Sequence, residues 1–215
     1  TKGLTMNLSK TLQEYFNELS SNSPTPGGGN VAAMCGALSA SLGMMVCNLT
    51  IGKKKYADVE QEMISLKDKL EGYQKKFFAL GTKDNEAFDR VMAAFKLPKE
   101  TDTEKEIRTA KIEEATIGAA EVPSDVMQAC SEILPLIKTV IEKGNKNSLS
   151  DAGVAVSLIA TAAESAYLNV MINCASLGNQ TIAAEIKKRA DIRMDEISQT
   201  SEYLVERVVK AIQPQ

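Results

Sequence analysis

The stretch "MISLKDKLEGYQKKFFALGTKDNEAFDRVMAA", residues 63–94, decides the fold. Its apolar residues fall at Met63, Leu66, Leu70, Tyr73, Phe77, Leu80, Ala87, Val91 and Ala94. Steps of three and four alternate, as at the a and d positions of a helix bundle. The pattern predicts one long helix from about Ala57 to Phe95. One stripe position is not apolar: Asp84, between Leu80 and Ala87. An inward carboxylate is costly unless it is paired, hydrogen-bonded or neutral. Two readings stand at this point. A loop near Gly81 or a shift of register turns Asp84 to water, or burial raises its pKa and makes it a general acid or base.

Working outward, helical periodicity continues in both directions, and no window alternates as a strand would. Leu8, Leu12, Tyr15, Phe16 and Leu19 predict a short amphipathic first helix. The turn "SNSPTPGGGN" (21–30) ends it. Val31 to Ile51 follows without a charged residue, closed by Gly52 and the basic run "KKKY". That segment is long enough to span a bilayer. It is rich in alanine, glycine and serine, however, which favours a buried helix packed closely through small residues. After residue 95, "KLPKETD" breaks the chain at Pro98, and a helix restarts near Thr101. Pro123 and Pro135 can each start or kink a segment. "KGNKNS" is a loop, and two more helices are predicted over Leu149–Ala175 and Gln180–Ile212. The expected fold is all-α, an up-and-down bundle of about six to eight helices, with residues 1–215 as a single domain.

Composition narrows the function classes. The 25 basic and 28 acidic residues leave a net charge of -3, which argues against a nucleic-acid partner. There is no histidine. A Ser-His-Asp triad, a Cys-His pair and a histidine zinc site are therefore excluded, and no metal site is expected. Cys35, Cys47, Cys130 and Cys174 lie in apolar helical context without CxxC spacing, as reduced core residues do. The first ten residues hold no apolar core of a signal peptide. A cytoplasmic location and no membrane are expected.

Several polar features stand out. "PTPGGGN" has neither the lysine of a P-loop nor the strand of a dinucleotide fingerprint. What remains is a glycine-rich turn opening a helix, with Asn30 as its expected N-cap. Free N–H groups at Gly27, Gly28 and Gly29 suit an anion or a polar ring edge, or the turn merely joins two close helices. Ser157, Thr161, Ser165, Asn169 and Asn173 recur every four residues and form a polar ladder. It serves either a heteroaromatic ligand or helix–helix hydrogen bonds. Ser148 and Asp151 have capping-box spacing in "SLSD". Lys53, Lys54 and Lys55 read as a solvated helix end or as partners of substrate carboxylates.

Taken together, "PTPGGGN", "GKKKY", "DNEAF", "KLPK", "SDAGVA" and "AYLNVMIN" occur in an order and spacing that resembles the cyclodeaminase/cyclohydrolase family. That family comprises the carboxy-terminal domain of formiminotransferase-cyclodeaminase and stand-alone methenyltetrahydrofolate cyclohydrolases. The resemblance runs from about Leu8 to Glu206. It implies a helical homodimer binding tetrahydrofolate derivatives near the subunit interface, with no further cofactor. It implies that Asp84 of "DNEAF" is catalytic. It also implies ligand-facing roles for the glycine turn (Gly27, Gly28, Gly29, Asn30), for Lys99 of "KLPK", and for Ser150, Asp151 and Asn169, with Lys53 near the substrate carboxylates. The implied activity is hydrolysis of 5,10-methenyltetrahydrofolate to 10-formyltetrahydrofolate. Formimidoyltetrahydrofolate cyclodeamination is the alternative, and a non-catalytic folate-binding or scaffold dimer is the alternative of another class. The chain departs from the family pattern at four places. Many relatives carry serine at Asn30, some an acid at Thr82, often leucine at Cys174, and an acid near Asn179.

Overall fold

A computed structural model describes residues 10–213 as six α-helices and two short 3-10 segments. The helices are α1 (Leu12–Leu19), α2 (Gly28–Thr50), α3 (Glu60–Phe95), α4 (Asp102–Lys143), α5 (Leu149–Ala175) and α6 (Gln180–Ile212). No strand occurs among the described residues. The expected part of the first helix at Leu8 lies outside them.

Successive helices from α2 onward run antiparallel, and one apolar core threads all five. The α2–α3 contact shows how the sequence sets this geometry. Gly29, Gly36 and Gly43 lie seven residues apart on α2, and Asp84, Phe77 and Leu70 seven apart on α3. A β-carbon at Gly36 would come 2.5 Å from Phe77 Cδ1, and one at Gly43 would come 3.0 Å from Leu70 Cδ1. Each glycine thus takes a large side chain of α3 against bare backbone. Phe77 and Leu70 are completely buried as a result. The long helix needed no bend at Gly81. It runs unbroken through Asp84.

Helix α5 closes over the other side of α2. Ser39 Oγ donates to Ala155 O at 2.8 Å in the dry interface, and Asn145 Nδ2 donates to Leu49 O at 2.9 Å where α2 ends. By length and hydropathy alone α2 and the 146–175 segment could each cross a membrane. In the fold, half of α2 or more packs on its neighbours.

Four boundaries differ from expectation, each for a local reason. Helix α2 starts at Gly28 with Gly27 as N-cap, so Asn30 is not the cap but lies in the first turn. The basic run does not end α2. Gly52, at φ 75°, reverses the chain, and Lys54–Val59 forms a 3-10 segment before α3. Ser148 makes no side-chain cap bond, so "SLSD" is not a closed capping box. Instead Thr101 and Glu104 form one at the start of α4. Finally, Pro123 and Pro135 both sit inside a continuous α4. A proline leaves the carbonyl four residues earlier without its helical donor. For Pro123 that carbonyl is Ala119 O, and Asn173 Nδ2 of α5 donates to it at 2.9 Å.

Candidate active site

The first turn of a helix carries backbone N–H groups with no partner inside the helix. At α2 these belong to the glycine turn, and the side chain of Asp84 lies against it. A β-carbon on Gly29 would overlap the Asp84 carboxylate outright, with Cγ at 2.6 Å and Oδ2 at 2.9 Å. Glycine at 29 is therefore a requirement of close approach. Backbone dihedrals do not demand it, since none of Gly27, Gly28 and Gly29 has positive φ.

Asp84 is partly buried and makes no ion pair among the described residues. Burial pushes its pKa above the ordinary carboxylate value of 3.8, and a hydrogen bond from the Asn30 backbone N–H works against that rise. The first effect is the larger, because taking a charge out of water outweighs one amide donor. The carboxyl is thus set between the two states a general acid–base group must visit.

Asn30 binds this corner together. It is 1% exposed. Its Nδ2 donates to Gly81 O at 2.9 Å, one turn before Asp84. Its Oδ1 accepts from Tyr15 OH of α1 at 2.9 Å. Nothing in the sequence singled out Tyr15 beyond its place on an amphipathic stripe. Spacing cannot report a hydrogen bond between helices fifteen residues apart.

Beside the turn lies a cleft of about 490 Å³, lined among others by Pro24, Pro26, Gly27, Gly28, Ser165 and Asn169. That size suits a small heterocycle. A β-carbon at Gly28 would sit 3.3 Å from Asn169 Nδ2. The Asn169 amide itself donates to Ser165 O at 2.8 Å. The polar ladder therefore divides: Ser165 and Asn169 face the cleft, Asn173 repairs α4, and Ser157 and Thr161 are exposed.

The site residues expected from the sequence separate into two groups. Asp84, Gly27, Gly28, Gly29, Asn30 and Asn169 come together at one end of the bundle. Lys53, Ser150 and Asp151 lie at the other end, where α2 finishes and α5 begins. The 23 residues of α2 put about 35 Å between them. Lys99 is exposed in the α3–α4 connection, beyond the last residues of α3.

The four cysteines are free, and burial raises every thiol pKa, that of Cys47 to about 11. At neutral pH none is a thiolate nucleophile. Among the described residues no three Cys, Asp or Glu side chains gather to hold a metal ion. The fold and site define an all-helical protein with a partly buried carboxyl, its pKa raised, packed against a glycine turn that borders a heterocycle-sized cleft.

Comparison with known proteins narrows that class. The family described as formiminotransferase-cyclodeaminase matches residues 11–192. A methenyltetrahydrofolate cyclohydrolase of Methylorubrum extorquens is 43% identical over 199 residues, covering 93% of this chain and 96% of that protein. The formimidoyltransferase-cyclodeaminase of Rattus norvegicus is 30% identical over 189 residues, covering 88% of this chain but only 35% of the rat protein. The crystal structure of formiminotetrahydrofolate cyclodeaminase from Thermotoga maritima superposes with a TM-score of 0.79 at 30% identity, covering 94% of this chain and 98% of that one. The chain belongs to the formiminotransferase-cyclodeaminase family.

Proposed function

We propose that this protein is a folate one-carbon enzyme that hydrolyses 5,10-methenyltetrahydrofolate to 10-formyltetrahydrofolate. The observation that carries the reading is the Asp84 carboxyl, seated against Gly29 at the start of α2 with its pKa raised by burial. Full-length likeness to a methenyltetrahydrofolate cyclohydrolase at 43% identity supports the choice of substrate.

In the substrate one carbon bridges N5 and N10 as an amidinium-type cation. Ionised Asp84 faces that cation and lowers its energy by charge. Water attacks the bridging carbon while Asp84 takes one of its protons. The resulting tetrahedral carbon collapses, the carbon–N5 bond breaks, and the proton held by Asp84 passes to N5. The formyl group stays on N10, and the hydroxyl proton of the intermediate leaves to solvent. One group serves as base and then as acid, which suits a carboxyl held above its ordinary pKa. Pro24, Pro26 and Asn169 in the cleft hold the pterin, and no cofactor beyond the folate takes part.

A second reading is favoured by the Thermotoga maritima relative, whose structure is that of a formiminotetrahydrofolate cyclodeaminase. There N10 attacks the formimino carbon, and ammonia leaves after protonation. The same acid–base group serves both.

The active form in this reading is a homodimer in the cytoplasm. Helix α2 carries no charged residue. Its outward Leu38 and Leu49, with Val154 and Leu168 of α5, form an exposed apolar face. In a twofold contact the same face meets itself. With α2 packed antiparallel on its copy about Leu38, the far end of the bundle would reach the glycine turn. Lys53, Ser150 and Asp151 of the partner subunit would then complete the cleft.

The deciding experiment mixes purified protein with 5,10-methenyltetrahydrofolate and, separately, with 5-formiminotetrahydrofolate. The methenyl absorbance is followed with Asp84→Asn alongside. Faster loss in the first mixture, abolished in Asp84→Asn, is expected. Faster appearance with ammonia release in the second identifies the cyclodeaminase. Full activity in Asp84→Asn removes the aspartate from the mechanism.

A further inference from the structure

We infer that Tyr15 and Asn30 act as a positioning pair for Asp84, and that α1 is held on the bundle to supply the tyrosine. Helix α1 has no buried residue, and its apolar Leu12 and Phe16 are more than half exposed. Its one side-chain hydrogen bond to another helix, among the described residues, runs from Tyr15 OH to Asn30 Oδ1 at 2.9 Å. A helix so weakly packed contributes little to the core. It does deliver a donor to Asn30, the residue that ties the first turn of α2 to α3 beside Asp84.

The orientation of the Asn30 amide is determined by its two partners. Gly81 O can only accept, so Nδ2 must face it. That leaves Oδ1 toward Tyr15, which must then donate. Asn85 Oδ1, at 3.5 Å from Nδ2, adds a weak third contact. The amide thereby ties the first turn of α2 to α3 one turn before Asp84. With both ends of the amide fixed, the first turn of α2 is held against the Asp84 carboxylate, and Gly29 lets the two come close. Without the Tyr15 donor, Oδ1 has no protein partner in a buried position, and the turn can shift. A serine in place of Asn30 would be too short to span Gly81 O and Tyr15 together.

The role rests on Asp84 being the acid–base group of the proposed reaction, so the test has one readout that needs no turnover. In Tyr15→Phe and Asn30→Ser, the Asp84 carboxyl is titrated by carbon-13 NMR in the free protein. Rates with 5,10-methenyltetrahydrofolate are measured across pH. The pair predicts that the Asp84 midpoint rises in both variants, because the opposing amide donor is loosened. The acid limb of kcat follows it upward. The plateau of kcat falls about tenfold with KM little changed, less than the ~100-fold of a full 1 Å misplacement. Circular dichroism of Tyr15→Phe stays that of the parent, since the ring is kept and α1 has no fully buried residue. An unchanged midpoint in both variants overturns the inference, whatever the rates do. A raised KM at unchanged kcat also overturns it, because it makes Tyr15 a substrate contact. If the parent hydrolyses neither folate but the midpoint still moves, the positioning stands and only the proposed reaction falls.

Discussion

Replacing Gly29 by alanine tests the geometry of the site most directly. The added β-carbon would lie 2.6 Å from Asp84 Cγ. Two non-bonded carbons rest at about 3.5 Å or more, so the carboxyl group must retreat by about 1 Å. A misplacement of that size costs a catalytic group about 100-fold in rate. The stability terms partly cancel. Alanine for glycine within a helix contributes about 0.5–1 kcal/mol, whereas overpacking costs about 1–3 kcal/mol. The net loss is at most about 2.5 kcal/mol, and for a chain of this length each kcal/mol moves Tm by about 2–4 °C. Gly72→Ala, at an exposed position of α3, is the control, because its β-carbon would meet nothing within 4 Å. It should raise Tm slightly and leave turnover alone. The assay is methenyl absorbance for rate and differential scanning calorimetry for Tm. Parental turnover in Gly29→Ala, with Tm raised as in Gly72→Ala, would refute the placement of the carboxylate against the turn.

Other expectations follow from the same contacts. Gly36→Ala drives a β-carbon into the Phe77 ring, which is fully buried and has no room to give, so it should lose about 1–3 kcal/mol in urea unfolding while Asp84 keeps its place. The pH dependence has a defined sign. Burial raises the folded pKa of Asp84 above 3.8, so its neutral form is the stabilised one. Its contribution to stability is present below pH 3.8 and is lost as pH rises through the higher folded value. The acid limb of kcat should lie above the ordinary aspartate value of 3.8, and calorimetry should show the loss of stability across that window diminished in Asp84→Asn. Leu38→Glu places a charge at the centre of the exposed α2 face. It should convert a dimer into monomers in sedimentation analysis and lower turnover with it; an unchanged sedimentation coefficient at the dimer value places the interface elsewhere.

Much of this protein is legible in one dimension. The three-and-four spacing from Met63 to Ala94 requires a helix with one apolar stripe, and the oddity of Asp84 on that stripe is visible because burial of a carboxylate is costly whatever it packs against. The start of α6, with Asn179 accepting from the Thr181 and Ile182 N–H groups, is equally local. The capping and helical rules reach only a few residues along the chain, and so do the inferences drawn from them. What the glycines are for is a matter of tertiary structure. "GGG" reads as a flexible turn that binds some anion, yet the anion it meets is the protein's own Asp84, brought from 55 positions away by the seven-residue register of α2 on α3. Contact between separate helices likewise hides Tyr15, fifteen positions from Asn30, from sequence reading and explains why Pro123 fails to break α4, since its rescuing donor is Asn173. The grouping of Asp84 with Asn169, and its separation from Lys53 and Asp151, likewise follow only from the antiparallel packing of α2 and α5. Local sequence sets each helix and the face it buries. Which residues meet across two buried faces depends on register and direction, and these are decided by how all the side chains pack at once.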